Sequence, residues 1–591
     1  MFIKVTTTSG RRYAQLVESF RNENGQPRQR TLATLGRLEP DGDVDRLISA
    51  LNRAQGREPS GATSAPTGLG ELKFLEAKAA GDLWALWQVW RSLDFDKLSL
   101  AWSRSRSGVD VMACLRAMVF NRLCDPSSKL GVLRWLHTVA LPKGCDFSLG
   151  APDHQQLLRA MDVLEDNADV IEERLSALMR PLIDQELSVV FYDLTTITVH
   201  GEAEVQGEIR AVGHSKDGGV ARQVVLSLVQ TADGLPIAHQ VHPGNTVESH
   251  TLLPMIERLV QRWPLKRVVL VADRGLLSLD NLHSIEALQQ RLREGGRDIT
   301  LDYVLAVPAA RYGEFRDELH QACEHKDVAQ PWVAELSWPH AVKDGATTAH
   351  RLVLCHDPEV AQRRTDARRR QIAELVALGE QWGGRLDEQD VGQKRRGRPL
   401  SDSGAKARLY HAVKEANLAH LIKVDLKSEL FQFTIDEERQ RYLELLDGKL
   451  LLVTSTHAQP QEVVQRYKSL ADIERGFRTL KSDIEIGPLY HRLPRRIRAH
   501  ALICFLALVV HRVMRMRLKA ARRTESPNRL MEQLERIQLQ TVELANGGRI
   551  RGLTELGPQQ KELFGAIGAT IPTPADFAVE LVPKEQASPQ P

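Results

Sequence analysis

Between residues 187 and 293 the spacing of apolar side chains changes rhythm, and that change sets the tightest limit on the fold. Residues 187–199 contain Val189-Val190-Phe191-Tyr192, an unbroken apolar run of buried-strand type. Residues 222–231 and 235–241 read as a second and third strand, joined by Asp233-Gly234, a pair suited to a tight hairpin. Residues 251–263 follow a helical period. Residues 267–272 (Arg-Val-Val-Leu-Val-Ala) make a further buried strand, and 279–293 are helical again. Three strands, a helix, a strand and a helix imply an α/β layer built on a mixed sheet.

Two of these runs end in an acid. Asp193 closes the first and Asp273 the last. A carboxylate at the end of a buried strand loses hydration unless a cation or hydrogen-bond donors compensate it. Two of them in one sheet can share a divalent ion. Mg²⁺ takes one or two carboxylates together with phosphate oxygens and water, which is the chemistry of phosphodiester cleavage. Read alone, either aspartate is equally a helix cap or a turn former. The order of elements is that of an RNase-H-like fold, whose sheet then remains unfinished, because residues 295–455 mix short strands (303–307, 351–355, 449–455) with a charged helix near 360–379. This middle stretch reads as an insertion that splits the core. A long helix is expected over 460–481, where Ile473, Phe477 and Leu480 form an apolar stripe. Glu474, Arg478 and Lys481 share the neighbouring one at i, i+4 and i+7. Such a face offers a metal-binding acid followed by two phosphate-binding cations. By pattern alone it is also an ordinary salt-bridged surface helix.

The 591 residues exceed what one core can organise. The expected division is an N-terminal β-hairpin region at 1–55, a Gly/Ser/Pro-rich linker at 56–70, and a helical, DNA-binding domain at 71–183. The first part of the core follows at 184–295, a β-rich insertion at 296–458, the second part with the Glu helix at 459–523, and a C-terminal helical region and tail at 524–591. On pattern alone the helical domain serves packing or dimerisation equally well. The hairpin rests on two strands flanking Asn22-Glu23-Asn24-Gly25. A net charge of +3 neither favours nor excludes nucleic acid, so the distribution of charge matters more than its sum. Six scattered cysteines without a CxxC pair point away from disulfides and zinc and fit a reducing cytoplasm. No signal peptide is read, and the apolar run at 501–510 is about half of the ~20 residues a membrane span needs, so it reads as a buried core helix.

The segment around Glu474 resembles the Tyr-Arg-Glu-Lys signature of insertion-sequence DDE transposases. Tyr467, Glu474 and Lys481 match it, and Leu470 stands at the arginine position. Also similar to this family are His214-Ser215-Lys216-Asp217-Gly218, Gly234-Leu235-Pro236-Ile237, Gly244-Asn245-Thr246-Val247-Glu248, Val271-Ala272-Asp273-Arg274-Gly275 and Gly487-Pro488-Leu489-Tyr490-His491-Arg492. The N-terminal hairpin ending in Leu35-Gly36-Arg37-Leu38 is similar to one branch of it. The resemblance covers roughly residues 10–515. It implies an RNase-H-like core split by a β-rich insertion, with Asp193, Asp273 and Glu474 as a metal-binding catalytic triad. It further implies Mg²⁺ (or Mn²⁺) as cofactor, and double-stranded DNA, both terminal inverted repeats and target, as partner. A homodimer or larger assembly would form on that DNA in a bacterial cytoplasm, with no membrane. A nuclease without strand transfer and an inactive DNA-binding descendant are the rival readings.

DNA contacts are expected from Tyr467, Arg478 and Lys481, and from Arg492, Arg495, Arg496 and Arg498. These four open a stretch (487–523) that is rich in arginine and holds no acid. Arg396 and Arg398, within Lys394-Arg395-Arg396-Gly397-Arg398-Pro399, resemble an AT-hook, although a basic loop touching phosphates fits the same residues. Trp332, Trp338 and Trp382 are candidates for stacking on an extruded base, and equally for the core.

Overall fold

The computed structural model describes residues 2–8, 11–21, 27–38 and 72–578, apart from 105–107, 146–151, 184–187, 202–207, 217, 248–249, 264, 273–278, 325, 342–346, 393–398 and 545. The chain divides into two compact units, residues 1–76 with 540–552 and residues 77–539 with 553–591. In the first unit, β1 (Phe2–Thr8), β2 (Arg11–Arg21) and β3 (Pro27–Leu38) form an antiparallel sheet. Its β2–β3 pair is the hairpin read from the sequence, and β1 is an additional strand. Strand β4 (Lys73–Ala79) belongs to a separate three-stranded sheet.

The second unit begins with five helices, α1 (Gly81–Ser92), α2 (Val111–Cys124), α3 (Lys129–Leu136), α4 (His154–Asp166) and α5 (Ala168–Met179). Polar side chains set three of the starts. Asp110 accepts from the Ala113 amide, Ser128 from Gly131, and Asp153 with Gln156 closes a capping box. Next come β5 (Ser188–Thr198), β6 (Ala211–His214), β7 (Val220–Thr231), β8 (Pro236–Pro243), α6 (Leu252–Arg262), β9 (Arg267–Ala272), α7 (Leu279–Glu294) and β10 (Thr300–Ala306). The order of strands and helices read from apolar spacing is therefore present, with β6 added.

Between β10 and its next partner in the sheet lie α8 (Arg316–Cys323), β11 (Trp332–Ala341), β12 (Thr347–His356), α9 (Pro358–Asp390), α10 (Asp402–Glu415), β13 (Ile422–Val424), β14 (Phe433–Ile435) and α11 (Glu437–Leu446). Strand β15 (Lys449–Thr454) then returns to the sheet, whose order is β11-β12-β15-β10-β9-β5-β7-β6, with β8 also paired to β7. Strands β5, β9 and β10 run parallel, and the other pairs are antiparallel. The long strands of the inserted passage thus extend the main sheet. A second hydrophobic core forms where α9 and α10 pack around Ile372, Leu375, Trp382, Leu409 and Val413. Arg368 binds Asp447 and Arg369 binds Glu444, so part of the charge on α9 is matched within the protein.

The chain finishes with α12 (Pro460–Lys468), α13 (Ala471–Arg478), α14 (Pro494–Ala520), α15 (Pro527–Glu535), β16 (Gln538–Glu543), β17 (Arg549–Leu553) and α16 (Pro558–Ala566). Among the described residues one helix, α14, is long and apolar enough to cross a membrane, and its apolar stretch is packed inside the protein. It touches α1, α2, α4 and β8, so one continuous core joins the early helices to the sheet.

Histidines are buried in that core. His239 of β8 stacks on Phe505 of α14 with ring centroids 4.4 Å apart. Burial, helped by Arg258, pushes its imidazole down to about 3, and burial beside Arg512 does the same to His511. In the unfolded chain both imidazoles take a proton below about 6.5. Stability is therefore lost as pH falls through 6.5 and continues to fall toward 3. The thermal unfolding midpoint should drop between pH 7 and pH 5, and the double variant His239→Gln/His511→Gln should show a shallower slope over the same range. An equal slope in wild type and variant refutes this assignment.

Candidate active site

Asp193 sits in the middle of β5, half-buried, after the buried run Val190-Phe191-Tyr192. Its neighbour on one side is β9, paired in parallel so that Tyr192 lies opposite Ala272, the last residue of β9. Each aspartate is thus the next residue in the chain after one member of this pair, although Asp273 itself lies outside the described residues. On the other side Asp193 pairs with Leu228 of β7. Its Oδ1 accepts from the Leu194 amide at 2.7 Å and stands 3.5 Å from the Lys216 ammonium. Lys216 also donates to the Leu194 carbonyl at 2.7 Å, and its amide donates to Thr196 Oγ1. The Lys216 cation is held beside the carboxylate from two directions.

The helix carrying Glu474 is shorter than the sequence suggests. Helix α12 ends at Lys468, α13 covers Ala471–Arg478, and a π-helical turn, Thr479–Asp483, follows. A π turn holds an extra residue per hydrogen-bonded loop, so it rotates whatever follows out of the α-helical stripe. Phe477 and Leu480 point inward as expected, and Glu474 and Arg478 are exposed one turn apart on α13. Lys481, in the π turn, leaves that alignment, and Tyr467 belongs to a separate helix whose partly buried ring packs against the core.

Helix α13 packs on β5, the strand of Asp193. At Gly476 it also meets β7, where a Cβ would overlap the side-chain amide of Gln230. Gln230 is fully buried on β7 opposite Phe191, two residues before Asp193. Glycine at 476 is what lets the Glu474 helix sit this close to the sheet. The far end of the helix is held as well. The buried Arg122 guanidinium of α2 donates to the Ile484 and Glu485 carbonyls at 3.3 and 3.1 Å. His500 Nε2 donates to the Ile486 carbonyl at 3.1 Å, while Lys129 Nζ lies 3.4 Å from His500 Nδ1. Burial drives the His500 imidazole well below its ordinary value, so it is neutral, and burial with Arg122 nearby brings the Lys129 ammonium down to about 7. Cations at carbonyl-exposing chain ends match the sign of the helix dipole.

Glu474 is exposed and pairs with no cation among the described residues. Asp193 and Glu474 are hard oxygen donors of the type Mg²⁺ prefers. Among the described residues, which do not include Asp273, no three candidate ligands cluster.

The basic stretch 487–523 is not unopposed. Arg495 binds Asp162 and Asp166, Arg496 binds Asp162 through two hydrogen bonds, and Arg498 pairs with Glu165, all on α4. These three arginines tie α14 to the helical region, so the charge that the sequence leaves unopposed is matched within the protein. The acids that neutralise them lie some 330 residues earlier. Further along, Arg517 donates to the Ile567 carbonyl and to Ser92, and Arg523 binds Glu525 and Glu562. Arg492 and Arg478 are exposed and have no ion-pair partner among the described residues. Arg396 and Arg398 lie outside the described residues. Trp382 is buried in the second core, and Trp332 and Trp338 pack partly buried against the main one, with Lys449 over the Trp332 ring and Phe315 against that of Trp338. Lys216, Gln230 and Arg122 had no assigned role in the sequence. The signals available were the arginine inside the apolar helix 111–124 and, for Lys216, its place in the family-like segment 214–218.

The seating of α13 can be tested directly. Replacing a helical glycine by alanine ordinarily gains about 1 kcal/mol. Overlap with the buried Gln230 amide costs about 1–3 kcal/mol, so Gly476→Ala should lower the unfolding midpoint. In a Gln230→Ala background the same change should become neutral or stabilising. Additive effects of the two substitutions would show that the two sites do not touch.

Two family models match the chain. One, described as "IS1634 family transposase, N-terminal domain", matches residues 3–64, and the other, "Transposase DDE domain", matches residues 184–510. Comparison with curated proteins gave no match. The second model takes in more than half of the residues and runs from just before β5 into α14, spanning the mixed sheet, Asp193, Asp273 and Glu474. With its RNase-H-like α/β core, the chain belongs to the insertion-sequence DDE transposases.

Proposed function

We propose that this transposase binds the ends of its own element, cuts them by metal-dependent phosphodiester hydrolysis, and joins the freed 3′-OH to target DNA. Asp193, Asp273 and Glu474 are the catalytic and metal-holding triad of this reading. The observation that carries it is the pairing of Tyr192 with Ala272, which directly precede the two aspartates, beneath a helix that bears Glu474 and packs on the same strand.

Mg²⁺ held by the three carboxylates would polarise the scissile phosphate and lower the pKa of the attacking water. The chain's own residues do the rest. Lys216 offsets the charge of Asp193 and keeps its carboxylate in place on β5. Gly476 and Gln230 set the height of α13 above the sheet, and Arg122 and His500 hold the turn after it, so Glu474 is presented without a search through conformations. Arg478, one turn along from Glu474, offers an exposed guanidinium to a phosphate oxygen, and Lys481, on the π turn after it, and Tyr467, on the helix before it, are further candidates for phosphate contact. Water adds to phosphorus as the 3′ oxygen leaves with a proton, giving a 3′-OH and a 5′-phosphate. That 3′-OH then displaces in line at a target phosphodiester, with no covalent protein–DNA intermediate. Two ends cut together require at least two protomers on the DNA.

A strand-transfer assay on duplex carrying the element's terminal repeats, with Mg²⁺ or Mn²⁺, tests the proposal. Joined product is expected. Asp193→Asn and Glu474→Gln should each reduce cleavage and joining by roughly three orders of magnitude or more while DNA binding persists. Nicking without joining would mark a nuclease, and binding without either an inactive regulator.

A further inference from the structure

The aromatic side chain best placed to meet DNA is not one of the tryptophans but Tyr490. It is 71% exposed, although residues on both sides of it are fixed. Upstream, the Ile484, Glu485 and Ile486 carbonyls are held by Arg122 and His500. Leu489 forms a bridge to Val199 just beyond β5, with its amide donating to the Thr198 carbonyl at 2.9 Å and its carbonyl accepting from the His200 amide at 2.8 Å. Downstream, the His491 ring packs 5.5 Å from that of His500. The Tyr490 ring lies against the exposed His200 imidazole, centroids 5.2 Å apart and planes within 16°. One face of a rigid phenol ring is thus covered by the imidazole, and the ring is still largely in water.

A cation follows it two residues along the chain. Of the arginines at 492, 495, 496 and 498, only Arg492 is without an acidic partner among the described residues, and it is exposed. Exposed apolar rings occur singly on many surfaces and carry no message by themselves. This one stands between two anchored backbone positions, is backed by a second ring and lies two residues from an arginine with no acidic partner among the described residues, the combination that single-stranded nucleic acid uses: a π-face for a base and a cation for its phosphate. A paired base in a duplex offers only its edges in the grooves, so stacking requires an unpaired nucleotide.

We infer that Tyr490, backed by His200 and flanked by Arg492, is a stacking site for an unpaired nucleotide of the bound DNA. This inference deepens the transposase reading and rests on it. His200 lies seven residues beyond Asp193 along the β5 direction, ~23 Å at the rise of a strand and about seven steps of B-form DNA. The stacked nucleotide therefore lies away from the scissile phosphate, and the site holds a strand that has been opened. Its pre-formed geometry means that binding orders little protein.

The test uses the full-length chain and a 40-base-pair duplex with a ten-nucleotide unpaired stretch, in which single adenines are replaced by 2-aminopurine. Wild-type protein should quench the fluorescence several-fold at one or two unpaired positions, and a fully paired control should show no comparable change. Tyr490→Leu should abolish that quenching while overall affinity stays within about threefold, and Tyr490→Trp should retain it. Arg492→Gln should weaken binding and reduce the slope of log affinity against log salt by about one. Quenching by Tyr490→Leu equal to wild type, at unchanged unfolding midpoint, overturns the stacking site alone. Failure of the wild-type chain to bind any of these DNAs overturns the DNA reading, and this site with it.

Discussion

Parallel pairing of two short buried strands is the constraint on which the site depends. Because β5 and β9 run in the same direction with Tyr192 opposite Ala272, the chain steps from both pair members straight into an aspartate. Over Val190–Tyr192 and Val268–Ala272 neither strand has a polar face to offer, since these residues are all buried. Sliding one strand by a residue would turn its whole side-chain set over, so the packing of both faces fixes the register and, through it, where each acid follows. The third carboxylate comes from a helix that packs on β5 and needs a glycine where it meets Gln230 of β7.

Much of the core could be read from the sequence because its elements are periodic over their full length. The run 189–193, the Asp233-Gly234 hairpin and the strand 267–272 announce themselves through burial on both faces and turn chemistry, and each has its counterpart in β5, β7–β8 and β9. What escaped reading has a common cause: it depends on partners far away in the chain. Arg495, Arg496 and Arg498 look unopposed because Asp162, Glu165 and Asp166 are some 330 residues distant. The π turn at Thr479–Asp483 leaves no mark on apolar spacing, since Leu480 faces inward with or without it, yet it moves Lys481 off the stripe of Glu474. Lys216 and Gln230 are ordinary polar residues until β6, β7 and α13 assemble around β5.

The inserted passage shows the same interplay of local and distant causes. Strands β11 and β12 find their hydrogen-bond partners by adding to the edge of the main sheet through β15. The helices between β12 and β15 bury their apolar stripes against each other instead. Ion pairs from Arg368 and Arg369 to Asp447 and Glu444 then fasten the long helix beside the point where the chain re-enters the sheet. Exposed pairs of this kind contribute little individually, but Asp447 is almost wholly buried and receives both nitrogens of Arg368, which makes it a firmer anchor.

Helix α14 has a bearing on how such a chain is made. It fills the space between the early helices and the sheet, touching α1, α2, α4 and β8. When α5 has left the ribosome, the apolar faces of the helical region still lack the partner that will cover them. At ~10 residues per second that partner arrives roughly half a minute later. Through that interval the first-made helices hold an open seam, and the arrival of α14 both closes the seam and brings His500, backed by Lys129, onto the turn behind Glu474 that Arg122 also holds. Assembly of the helical region and final placement of that acid are therefore one late event, and a nascent chain stopped before α14 would carry neither.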